Sequence, residues 1–119
     1  MNTVPIDTPH GVIYGRNALL LRSQHIAFSP FIATITCSLS LAGCIPEIVN
    51  KPDVQVAFSF TDIKRLSIYK IDDYPYEQHS SSSFDKVEDE NAGARYVLST
   101  YDYVFDIVGS LTPLQWPEC

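Results

Sequence analysis

From residue 31 to residue 44 the chain reads FIATITCSLSLAGC. Phe31, Ala33, Ile35, Cys37, Leu39 and Leu41 fall on one parity, and Thr34, Thr36, Ser38 and Ser40 on the other. In an extended chain a period of two places every apolar side chain on one face. The stretch therefore predicts a half-buried strand over 31–41, with Ile35, Cys37, Leu39 and Leu41 in the core. Gly43 would end the strand and Pro46 would open a turn.

The last part of the same stretch, SLSLAGC over 38–44, also spells the cleavage site of a bacterial lipoprotein. On that alternative reading the chain is a lipid-anchored envelope protein acylated at Cys44. Signal segments usually occupy the first ~15–30 residues and begin with basic residues. Here the cut would fall after residue 43, and the first basic residue is Arg16. The run from Ser23 to Pro46 carries no formal charge, but Pro30 and the interleaved Ser and Thr interrupt it. A membrane span needs roughly 20 predominantly apolar residues. A hydrophobic signal core also has no reason to alternate. The strand is the preferred reading, and with it a cytoplasmic location; anchoring through Cys44 is the alternative.

Other segments repeat the strand pattern. Val54, Val56, Phe58 and Phe60 alternate with Gln55, Ala57, Ser59 and Thr61, and IKRLSIYKI over 63–71 continues in the same style. Asp62 between them fits a bend or bulge that turns a corner of the sheet. Gly11–Gly15 (GVIYG) and Asn17–Arg22 (NALLLR) suggest a short hairpin about Gly15-Arg16. RYVLSTYDYVFDIV over 95–108 switches parity near Thr100, as a strand with a bulge would. Its Tyr101, Val104, Phe105 and Val108 also match helical spacing, with Ser99 and Asp102 placed like a capping box. β-Branched and aromatic residues dominate, which favours strand, and Gly109 would end it. Pro113, Trp116 and Pro117 suggest an irregular tail. The expected fold is one mainly β domain over 1–119, an antiparallel sheet or sandwich. The alternative is α+β, with a C-terminal helix near 100–109.

Charge is concentrated. Asp72, Asp73, Glu77, Asp85, Glu88, Asp89 and Glu90 face only Lys86 between residues 72 and 90, so this segment carries the whole net charge of −6. Within it, 78–94 reads as an acidic, Ser-rich loop within the domain, pinned to the core by Phe84 and Val87. The acidity argues against nucleic acid, because phosphate binding needs a basic face. Tyr69, Tyr74, Tyr76, Tyr101 and Tyr103 lie close to the acidic segment in sequence. Aromatic anchors beside steering carboxylates are what a face for a basic protein uses.

Catalytic patterns are missing. The five glycines are isolated, so no nucleotide loop is formed, and no GxSxG elbow occurs. His79 beside Ser80–Ser83 is ordinary loop composition, and His10 and His25 lie far from it. Cys37, Cys44 and Cys119 form no zinc spacing. Asp72-Asp73 with Glu77 or Asp85 lacks the glycine-turned spacing of a calcium loop. Asp102 and Asp106 read as surface charges on a sheet edge.

The order VQVAFSFTDIKRLSIYKID, then SSSSFDKVEDE, then RYVLSTYDYVFDIVG, over residues 54–109, resembles small β-rich bacterial proteins of unknown function. Some proteins of that style are immunity partners of polymorphic toxins. The likeness is one of pattern, carries over no functional residue, and implies a non-enzymatic, cytoplasmic binding protein. The expectation is an acidic protein-binding domain without cofactor or metal, with a basic protein as partner. Its contact residues are Asp72, Asp73, Tyr74, Tyr76, Glu77, Asp85, Glu88 and Asp89. An immunity-type protein that neutralises a basic toxin is the narrower form.

Overall fold

In the computed structural model the described residues are 3–14, 18–73, 82–87 and 94–116, without the side chain of Ile71. They are almost entirely extended. The strands are β1 (Thr3–Pro5), β2 (Val12–Ile13), β3 (Leu19–Phe28), β4 (Phe31–Leu39), β5 (Cys44–Ile45), β6 (Val54–Lys70), β7 (Phe84–Val87), β8 (Arg95–Ser99) and β9 (Tyr103–Leu111). Seven form one antiparallel sheet in the order β1-β7-β8-β9-β6-β4-β3, while β2 and β5 make a small ribbon. The order β6-β9-β8-β7 is a Greek key, three consecutive strands returning to lie beside the fourth.

The alternating stretch is β4, a central strand. Ala33, Ile35, Cys37 and Leu39 are buried on one face, with Thr34, Thr36 and Ser38 half-buried on the other. The other face is tied to β6 where Thr34 Oγ1 and Ser59 Oγ share a 3.1 Å hydrogen bond. The strand ends at Leu39; Leu41 is buried too, but in a single 3-10 turn (Leu41–Gly43) that leads into β5. The Ser and Thr residues that weaken a membrane reading are thus the second face of a sheet.

β6 is long enough to belong to two parts of the sheet. Asp62 has φ 49, and the register with β9 shifts between Thr61 and Arg65. The left-handed conformation is accessible to Asp because its short polar side chain tolerates it. Opposite the bend lies Gly109, inside β9 rather than at its end. A Cβ there would sit 2.9 Å from Thr61 O and 3.0 Å from the Ile63 Cα, so only glycine lets the strands approach this closely.

Where the structure departs from expectation, the cause is long-range pairing or side-chain turn chemistry. β2 pairs with β5, and the strand that follows it, β3, pairs with β4; Gly15 and Arg16, the expected hairpin turn, lie outside the described residues. The apolar run near residue 20 is only the start of β3, which pairs along its length with β4 through a Ser29-Pro30 turn. The segment 95–108 is neither one bulged strand nor a helix but the hairpin β8–β9. Its turn has no Gly or Pro. Instead the buried Thr100 hydroxyl accepts a bond from Tyr103 N–H at 3.1 Å and donates to Tyr103 O at 3.0 Å, reinforcing the backbone bond from Thr100 N–H to the same oxygen at 2.8 Å. The tract 78–94 contains a strand, β7, whose Phe84 and Val87 are buried as the pinning residues were expected to be.

The main core lies on one face of the sheet, and Val87, Val97 and Val104 form a separate small buried cluster. Phe58, Phe60 and Phe84 are fully buried, with Phe58 edge-on to Phe84 at 4.8 Å and to Trp116 at 4.9 Å. Edge-to-face geometry sets the positive ring edge against the negative face. The tail is irregular but structural: Trp116 Nε1–H donates to Ala57 O at 2.9 Å, and Thr112 Oγ1 donates to Ser59 O at 2.9 Å. His10 stacks on Trp116 at 5.9 Å and is buried, yet neither ring nitrogen has a hydrogen-bond partner among the described residues.

Candidate binding face

Beyond the bend, β6 and β9 carry some of the large side chains that the fold leaves uncovered. Register pairs Ile68 with Phe105 and Lys70 with Tyr103. Ile68 is 47% exposed and Tyr103 37%, and Tyr101 in the β8–β9 turn is 42% exposed. At the end of β6 a 3-10 turn (Ile71–Asp73) presents Asp72 and Asp73 to solvent. Acids, tyrosines and an exposed isoleucine thus occupy one end of the β6–β9 pair.

β3, the edge strand separated from β6 by β4, comes towards this end. Tyr101 N–H donates to Leu19 O at 2.8 Å, which holds the β8–β9 turn against the start of β3. Further along, a cleft of about 400 Å³ opens between Leu21, Gln24 and Ile26 of β3 and Ile68, Tyr103 and Phe105. Phe105 is buried and forms its floor, Leu21 and Ile26 are half-buried, and Gln24 is exposed. Among the described residues the lining contains no charged side chain. A register shift in β3 between Leu21 and Ser23 keeps Leu21, Gln24 and Ile26 on the same side despite the odd spacing.

Of the residues expected to contact a partner, Asp72 and Asp73 are exposed as that role requires. Asp85 is fully buried in β7, so its carboxylate offers no surface charge. Tyr74, Tyr76, Glu77, Glu88 and Asp89 lie outside the described residues. Sequence reading missed the cleft itself, because its walls come from segments far apart in the chain.

The other acidic pair also separates. Asp102 is exposed in the turn, while Asp106 is buried in β9, a strand with neighbours on both sides. Arg95 Nε donates to Asp106 Oδ1 at 2.8 Å and Arg95 Nη2 to Oδ2, a bidentate pair, and Arg65 Nη2 approaches Oδ1 at 3.5 Å. The fork geometry suits carboxylate recognition and satisfies both oxygens. Asp106 thus acts as a structural anchor. Burial pushes the Cys37 thiol up to about 12, so it stays protonated and is a poor nucleophile. Cys44 is buried in β5, its thiol directed at Ser40 O at 3.9 Å. Among the described residues no helix is long and apolar enough to cross a membrane.

Fold and face together define an all-β domain with one bent antiparallel sheet and an open, acid-flanked cleft. No family model, curated protein or solved structure matches the chain.

Proposed function

We propose that this chain is a non-enzymatic protein-binding domain that engages a basic partner through the open end of the β6–β9 pair. The observation that carries the reading is the joint placement of exposed Ile68, Tyr101 and Tyr103 with exposed Asp72 and Asp73. Uncovered apolar and aromatic surface beside polar groups is characteristic of interaction sites. The acids add long-range attraction, which raises the encounter rate for a positively charged protein. The net charge of −6 acts in the same direction.

The narrower form, an immunity-type protein that neutralises a basic toxin in the cytoplasm, draws on the pattern resemblance over 54–109. A membrane anchor at Cys44 suits this fold poorly. Cleavage before Cys44 would remove β1–β4, including β4 between β3 and β6 and the buried Leu19, Ile35 and Leu39.

The test is the association kinetics of the basic protein captured with this chain from its source cell. Reversing Asp72, Asp73, Glu88 and Asp89 to lysine should lower the association rate by about tenfold or more at low ionic strength. The dissociation rate should change less, since steering acts on encounter. An association rate indifferent to all four reversals would overturn the proposal.

A further inference from the structure

We infer that the cleft between β3 and the β6–β9 pair is a socket for one apolar side chain of the basic partner. That side chain would be carried on a short segment whose lysine or arginine lies against Asp72 and Asp73. This rests on the binding reading above and adds how the partner is held.

The lining points to the occupant. Leu21, Ile26, Ile68 and Phe105 supply apolar surface, while Gln24 and Tyr103 contribute one neutral polar group each. A charged group entering here would lose its hydration without a counter-charge, so what enters is uncharged. The cleft is at the small end of the about 300–1,000 Å³ typical of ligand sites. Its mouth is wide, since Gln24, Ile68 and Tyr103 are all exposed. A free small molecule is held when about 70–90% of its surface is covered, and these open walls leave much of the cover to be supplied from outside. A side chain meets that condition, because the rest of the partner closes over it. Such a filled, desolvated pocket is where interface energy concentrates.

Charge fixes the flanks. Lys70, the Cα partner of cleft residue Tyr103, is an exposed base at the end of β6. Asp72 and Asp73 follow it immediately on the exposed turn and outweigh it. The described lining is neutral, and the turn that follows β6 is acidic. An occupant with an apolar residue between basic ones complements both.

The experiment is a residue-resolved NMR titration of the full chain with three blocked pentapeptides at low salt. Their sequences are Lys-Phe-Lys-Phe-Lys, Lys-Ala-Lys-Ala-Lys and Glu-Phe-Glu-Phe-Glu. The first should shift the amides of Leu21, Gln24, Ile26, Ile68 and Tyr103 and bind about tenfold more tightly than either of the others. Ile68→Ser should reduce its affinity by a similar factor, and since Ile68 is exposed the fold should be retained. If the alanine peptide binds as well as the phenylalanine one, with shifts confined to Asp72 and Asp73, the socket is overturned while the acidic face stands. If the glutamate peptide binds as well as the lysine one, the basic flank is overturned. Absence of shifts with all three also overturns the socket, and the charge-reversal kinetics then judge the broader proposal independently.

Discussion

The two halves of β6 obey the same alternation and meet opposite fates. Before Asp62, Val56, Phe58 and Phe60 are shut into the core between β4 and the tail that carries Trp116. After it, Leu66 is half-buried and Ile68 is 47% exposed, although they continue the same kind of pattern along the same strand. The difference is the bend. One residue at φ 49, opposite a glycine that permits close approach, redirects the strand so that its second half faces β3 across an open cleft. Alternation states which side chains share a face; it does not state whether anything covers that face.

That contrast can be broken at graded cost. Phe58→Ala removes a fully buried ring that touches Phe84 and Trp116 and should cost about 3–5 kcal/mol in urea unfolding. A loss below 1 kcal/mol, as an exposed position would give, would mean the first half is not the core. Arg95→Ala strips the bidentate partner from buried Asp106 and should cost about 3 kcal/mol, because a buried carboxylate loses its paired guanidinium. Thermal unfolding at neutral pH measures it, and an unchanged midpoint would contradict the anchoring role. Asp62→Val places a β-branched residue in the left-handed region and should cost about 1–2 kcal/mol. If Val is accommodated freely, the bend is not set at residue 62. His10→Phe keeps the stacking on Trp116 while deleting two buried, unpartnered nitrogens, and should gain about 1 kcal/mol. Destabilisation there would mean that the imidazole is satisfied in solution.

Much of this was legible in the residues and some was not, for identifiable reasons. The β4 alternation, the first half of β6 and the bend at Asp62 can be read from the residues, since each is a local pattern; the period of two in β4 outweighs the cleavage-site spelling at its end. The hairpin at Thr100 cannot, because the turn is closed by a threonine hydroxyl rather than by Gly or Pro. β7 is concealed because FDKV stands among serines and acids whose composition says loop. Asp85 and Asp106 read as surface charges since carboxylates are rarely buried, and only tertiary pairing reveals Arg95 beside Asp106. In the binding face, Asp72 and Asp73 could be named from charge alone. The cleft could not, because Leu21, Ile68 and Phe105 meet only after the sheet has bent.

The most direct test of the central claim is a map of amide perturbations on this chain when it binds the captured basic protein. The account expects the largest changes at Ile68, Asp72, Asp73, Tyr101 and Tyr103, with Leu21–Ile26 of β3 joining them. Changes centred instead on β1 and β7 at the other edge of the sheet, with the β6–β9 end undisturbed, would contradict it.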